Sequence, residues 1–244
     1  GVFRRQRQMC IRDRSSTSWH GWFDVVRGRA KGLSCNRTNT EYTSGSTQDL
    51  VSFDDNGFTL GTLYSWGSVN GNGNSNIAYC WKAGGAAVTN NDGSIASQVS
   101  ANPEGGFSIV TYTGNATAGA TVGHGLGKAP NWIIIKGRSV GDNWMVYSHS
   151  YNGYTDAENR YIELQTTAGV VNDSRMMNNT APTSSVFSLR ADNSTNGNHT
   201  YVAYCWSEIP GYSKFGSYVG NGDANGQYVY LSLIHISEPT RPMN

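Results

Sequence analysis

The sequence has 244 residues, a formal net charge of +1, only 14% charged residues and 11% aromatics, with 30 glycines among them. That length can bury a core of one or two domains. Collagen is excluded because glycine shows no period of three. No apolar run approaches the roughly 18 residues of a membrane helix. The basic excess expected of a nucleic-acid binder is missing, and the aromatic content argues against disorder. A turn-rich all-β protein is what remains.

In chain order, the first 14 residues differ from the interior. They hold Arg4, Arg5, Arg7, Arg12 and Arg14, whereas the interior has no such cluster. The segment Arg5 to Arg14, and the segment Leu231 to Pro242 at the other end, resemble translated sequencing-adapter sequence. On that expectation residues 1–14 and 231–244 are non-native. Without them the basic residues fall to 12 against 15 acidic ones, a net charge of about −3. Cys35, Cys80 and Cys205 then remain, with no CxxC pair or zinc-ligand spacing. Cys80 and Cys205 lie in apolar runs and are expected to be buried free thiols.

The interior repeats itself. Ile77-Ala78-Tyr79-Cys80-Trp81 recurs as Val202-Ala203-Tyr204-Cys205-Trp206. Phe58-Thr59-Leu60 matches Phe187-Ser188-Leu189, Trp22-Phe23-Asp24 is aligned with Trp144-Met145-Val146, and Tyr112-Thr113-Gly114-Asn115 returns as Tyr218-Val219-Gly220-Asn221. The expected organisation is an incomplete unit over 15–91, a linker over 92–105, a complete unit over 106–209 and the opening of a third over 210–230. The stretch from Lys82 to Ser100, extra after the first copy, reads as a linker or an edge-strand excursion.

Within the complete unit, strands are expected at Phe107 to Tyr112, Trp132 to Lys136, Trp144 to Tyr147, Tyr161 to Leu164, Val186 to Leu189 and Tyr201 to Trp206. Turn pairs such as Asn56-Gly57, Asp92-Gly93, Asn152-Gly153 and Asn196-Gly197 separate runs of this kind. No segment carries a sustained 3.6-residue stripe. The pattern predicts tandem, jelly-roll-like β-sandwich units.

Chemical motifs are sparse. Gly123-His124-Gly125-Leu126-Gly127-Lys128 lacks the first glycine and the closing Ser/Thr of a P-loop, and it opens no helix. Asp54-Asp55-Asn56-Gly57 and Asn90-Asn91-Asp92-Gly93 lack the full acidic spacing of a calcium loop and read as turns. No GxSxG elbow or HExxH pair is present. No catalytic, metal or cofactor-binding residue is assigned, and no cofactor is expected. Trp19, Tyr151, Tyr154 and Tyr212 lie among Gly, Asn and Ser and are candidates for surface recognition. His124, in its glycine-rich turn, joins them as a candidate surface ligand.

Ser52 to Gly61, Trp81 to Val88, Gly106 to Gly114, Val122 to Gly127 and Gly211 to Tyr218 resemble a tandem β-domain family of marine-bacteriophage virion structural proteins. The resemblance spans nearly all of residues 15–230 and brings no catalytic residues. It implies a tail-fibre-like, non-enzymatic virion module, assembled in the bacterial cytoplasm. Its implied partners are copies of itself in a homotrimer, other virion proteins and a host-surface glycan or protein. Nucleic acid and membrane are not implied. Two other readings stand beside it. One is a carbohydrate-binding accessory module or depolymerase of a secreted bacterial enzyme, and the other is a bacterial surface adhesin.

Overall fold

The computed structural model describes residues 7–13, 19–62, 69–226 and 228–229. The end segment 231–244, and residues 1–6 and 14 of the other, lie outside the described residues. The fold is all-β, with no α-helix among the described residues and a single 3-10 turn at Ala157–Asn159. Glycine and asparagine break the chain into strands of two to seven residues.

The first sheet contains β1 (Arg7–Asp13), β2 (Gly21–Asp24), β3 (Lys31–Ser34), β4 (Tyr42–Thr43) and β7 (Asn76–Lys82), in the order β4-β3-β2-β1-β7. A short hairpin, β5 (Leu50–Phe53) and β6 (Phe58–Leu60), turns through Asp54 to Gly57. The second sheet has eight strands. They are β8 (Val88–Asn90), β9 (Ser97–Asn102), β10 (Phe107–Thr113), β12 (Trp132–Gly137), β13 (Met145–Ser148), β14 (Arg160–Glu163), β15 (Val171–Asn172) and β17 (Thr200–Trp206). Their order is β15-β14-β13-β12-β17-β10-β9-β8. β11 (Ala120–Gly123) pairs separately with β16 (Val186–Leu189).

The two sheets share one topology. The order β4-β3-β2-β1-β7 repeats as β15-β14-β13-β12-β17, and the registers agree. Tyr79, Cys10 and Trp22 form one cross-strand row, and Tyr204, Ile134 and Val146 form its counterpart. The rows continue outward to Leu33 in one sheet and Ile162 in the other. Trp22 therefore stands where Val146 stands, two residues from the sequence alignment with Trp144. A shift of two keeps the same face of the strand, because side chains alternate with period two.

The sheets pack face to face. Trp22 and Leu33 of one meet Trp144, Val146 and Tyr204 of the other in a shared buried cluster. The Trp22 ring centroid lies 5.2 Å from those of Trp144 and Tyr204. Trp81 meets its own counterpart Trp206 at 5.6 Å. Outside this double layer, Phe23, Leu50 and Val69 form a small core under the β5–β6 hairpin. On the far side, Phe187, Leu189, Met176 and Met177 cover the second sheet.

Polar groups reinforce the contact between the sheets. Tyr204 Oη donates to Asp24 Oδ2 at 2.7 Å, and Arg27 Nε also donates to Asp24 Oδ2. Arg27 reaches Glu41 at 3.2 Å, and Arg138 holds the same carboxylate at 2.8 and 3.1 Å. Trp144 Nε1 donates to the carbonyls of Ser34 and Arg37, both at 3.0 Å. Lys136 Nζ donates to the carbonyls of Thr38 at 3.0 Å and Asp142 at 2.8 Å. Burial lowers the Lys136 pKa to about 8.

Residues 92–105 are not a linker. They contain β9, paired along its length with β10, and Ile95 N–H donates to Thr121 O of β11 at 2.9 Å. Two further bonds of 2.9 Å join Ser94 and Thr121. The physical reason is edge extension: β10 presents a second hydrogen-bonding edge, and β9 then β8 continue the sheet from it. The two matched cysteines also differ. Cys205 is buried, but Cys80 is exposed, because β7 ends its sheet among the described strands whereas β17 has neighbours on both sides.

Candidate functional site

The sequence candidates do not converge. His124 is fully buried, which removes it as a surface ligand. Its Nδ1 accepts the Leu126 N–H at 3.2 Å and its Nε2 lies 3.2 Å from the Thr183 carbonyl, so the ring closes a turn internally. Burial lowers its pKa from the ordinary value. Tyr151 is also buried. Its hydroxyl accepts the Ser148 N–H and donates to the Val146 carbonyl, each at 3.0 Å, so it fastens the loop after β13. Both belong to glycine-rich turns that fold back on the sheet. The small residues around them mark tight packing rather than exposure.

Trp19 is half-buried with the Arg37 guanidinium 4.3 Å from its ring centroid. Tyr154 is half-exposed, and Arg160 covers its ring at 3.7 Å. Each has one aromatic face taken by a cation, a contact worth about 0.5–1 kcal/mol at exposed sites. Tyr212, 74% exposed, is the candidate that borders a recess.

That recess is a cleft of about 680 Å³ between the end of β7, the β9–β10 turn, the end of β17 and residues 212–215. Trp81, Tyr212 and Phe215 supply its accessible aromatic walls, buried Phe107 and Trp206 lie behind them, and Lys82, Asn102 and Ser213 come between. The Trp206 and Phe107 centroids are 5.0 Å apart, and Trp81 closes on Phe107 at 6.3 Å. Phe215 stacks on Trp132 at 6.3 Å and its N–H donates to Glu208 at 2.9 Å, which roots this wall. Gly106, at φ +64°, lets the turn approach Ser207, whose N–H bonds its carbonyl at 2.9 Å. A Cβ there would fall 2.3 Å from the Ser207 carbonyl oxygen. Flat aromatic walls beside amide, hydroxyl and ammonium groups suit a sugar ring or an extended peptide.

Carboxylates converge in two further places, and arginine occupies both. Asp24 and Glu41 flank buried Arg27. Asp173 and Asp192 share Arg175 on the surface. Among the described residues no group of three His, Cys, Asp or Glu side chains could hold a metal ion. Trp81, Phe107 and Trp206 were legible as strand residues but not as cleft walls. The usable signal was the repeat itself, which places the two tryptophans at equivalent strand ends.

Compared with known families, residues 6–233 match the domain of unknown function DUF7483. The chain belongs to this family. No curated protein and no solved structure matches the chain.

Proposed function

We propose that this DUF7483 chain is a non-catalytic structural and recognition module of a phage virion, tail-fibre-like, contributing to attachment at a host surface. The aromatic cleft beside the docked tandem sheets carries this reading. A rigid double layer, whose buried charges serve its own cohesion, holds a recessed surface suited to a glycan or a peptide. The sequence resemblance to virion structural proteins supplies the setting, and repeated β-units suit an extended homotrimeric assembly.

The same cleft favours one second reading, a carbohydrate-binding accessory module of a secreted enzyme. Sequencing the source DNA through both ends and into the neighbouring genes decides between them. Capsid, portal and terminase genes are the expected neighbours. A frame continuing into a hydrolase domain, beside polysaccharide-utilisation genes, would overturn the virion reading.

The adapter origin of residues 1–14 and 231–244 is part of the proposal. The registers set Gln8-Met9-Cys10-Ile11-Arg12-Asp13 of β1 where the second sheet has Trp132-Ile133-Ile134-Ile135-Lys136-Gly137. Gln8-Met9-Cys10 stands in place of Trp132-Ile133-Ile134, whereas Ile11 and Arg12 stand at the positions of Ile135 and Lys136. The family match covers residues 6–14 of the first segment and 231–233 of the second. The same sequencing is the test: an unbroken genomic frame through either segment would overturn this part.

A further inference from the structure

The polar side chains of the aromatic cleft have donors to spare and few free acceptors. Lys82 is exposed, and an ammonium can only donate. Every ion pair among the described residues uses an arginine, so no described carboxylate neutralises Lys82. Asn102 Oδ1 is taken by the Gly105 N–H at 3.1 Å. The Asn102 amide nitrogen donates to the Lys82 carbonyl at 3.2 Å and keeps a second N–H. Ser213 Oγ accepts the Ile209 N–H at 3.1 Å, which leaves its O–H to donate. No aspartate or glutamate lines the cleft. Glu208 is engaged by the Phe215 N–H, and Glu104 is exposed on the β9–β10 turn outside the lining. Lys214, exposed between Ser213 and Phe215, adds a second positive charge beside it.

The turns that frame the cleft keep their own main-chain donors occupied. The Gly106 N–H bonds the Pro103 carbonyl at 3.3 Å, and the Tyr212 and Ser213 N–H groups both bond the Ile209 carbonyl at 2.9 Å. An extended peptide laid on these turns finds no open ladder to join. What the cleft presents is aromatic faces and side-chain donors.

We infer that the cleft takes an acidic saccharide, its ring against Trp81 and Tyr212 and its anionic group at Lys82 and Asn102. The C–H face of a sugar ring is apolar and matches an aromatic wall, while its edge carries the polar groups. A carboxylate or sulfate accepts several hydrogen bonds and supplies the charge that Lys82 lacks. The inference rests on reading the cleft as a recognition surface and names the ligand class for it.

The test is isothermal titration of the full chain with polygalacturonate, dextran sulfate, neutral dextran and poly-glutamate. Polygalacturonate or dextran sulfate should bind, the two together telling carboxylate from sulfate, and raised salt should weaken the binding. Neutral dextran should bind about tenfold more weakly or not at all, and Lys82→Gln should cost about tenfold. Tyr212→Ala should cost about fivefold. Both side chains are exposed, so the fold is expected to survive, and unchanged urea midpoints check it. Lys128→Gln removes an exposed lysine outside the lining and should change nothing. Equal losses at Lys82 and Lys128, or dextran bound as tightly as the acidic chains, overturn the acidic assignment. Poly-glutamate bound as tightly as the acidic chains overturns the saccharide. Binding that Tyr212→Ala leaves unchanged places the ligand elsewhere and overturns the site. Where dextran or poly-glutamate binds and Tyr212→Ala weakens it, the cleft still recognises a ligand and only this inference fails. A chain that binds none of the four overturns the inference and removes the cleft from the recognition reading as well. The neighbouring genes decide the virion setting separately.

Discussion

β7 and β17 are the same strand in two settings. Ala78-Tyr79-Cys80-Trp81 and Ala203-Tyr204-Cys205-Trp206 share residues, register and sheet position relative to the strand before them. Yet Ala203, Tyr204 and Cys205 are fully buried, while Ala78, Tyr79 and Cys80 are exposed. Strand sequence sets alternation and pairing. Burial is set by what flanks the strand and covers its far face. β10 flanks β17, and the β11–β16 hairpin with Met176 and Met177 covers that face.

The sharpest way to break this comparison is one substitution made twice. Ala203→Asp puts a carboxylate into a position with no solvent and no cation. It should cost more than about 4 kcal/mol, enough to unfold a marginal domain. Ala78→Asp should stay within about 0.5 kcal/mol. Urea unfolding followed by tryptophan fluorescence reads both. Equal costs at low protein concentration would mean that β7 is covered in solution, and the contrast would fall.

The next test asks whether the sheets depend on one another. Arg27 lies fully buried between Asp24 and Glu41, and these charges hold its guanidinium firmly protonated despite burial. Arg27→Met leaves Asp24 buried without its cation and should cost about 3–5 kcal/mol. Adding Asp24→Leu should recover part of that loss, because the stranded charge is gone. If Arg27→Met were neutral, the charge chain from Asp24 to Arg138 would not join the two sheets. A smaller contrast concerns the paired tyrosines. Tyr204→Phe removes a buried hydrogen bond to a carboxylate and should cost about 1.5–3 kcal/mol, whereas Tyr79→Phe should be close to neutral.

Much of this architecture was legible in the residues. The Ile77 and Val202 strands, the Phe58 and Phe187 strands and the Asn-Gly turns stand where alternation and turn chemistry put them. The repeat predicted tandem β-sandwich units, but not that the matched sheets of the two units would pack face to face, because a strand pattern does not say which layer covers it. It also misaligned Trp22 with Trp144, since identity outweighed register. The site was less legible. A histidine or tyrosine among glycines looks the same in sequence whether the turn faces water or folds onto the core. His124 and Tyr151 do the latter, while Tyr212 does not. The cleft brings together residues as distant as Trp81 and Phe215, and no local pattern encodes that.

The smallest expected effect concerns the second sheet's own cover, where His124 follows β11. The ring is neutral, with Nδ1 accepting from Leu126 and Nε2–H donating to Thr183. A proton on Nδ1 would displace the Leu126 N–H and place a charge where desolvation opposes it. The folded pKa therefore lies below the ordinary 6.5. Below 6.5 the unfolded chain binds a proton that the folded chain refuses, so stability is full above that value and falls as pH drops through the folded pKa. Urea midpoints measured from neutral pH downward should show this decline. His124→Asn should flatten it while leaving the later, carboxylate-driven decline in place. An unchanged profile in the variant would assign the whole acid limb to the paired carboxylates, and the second sheet's cover would then carry no titrating histidine.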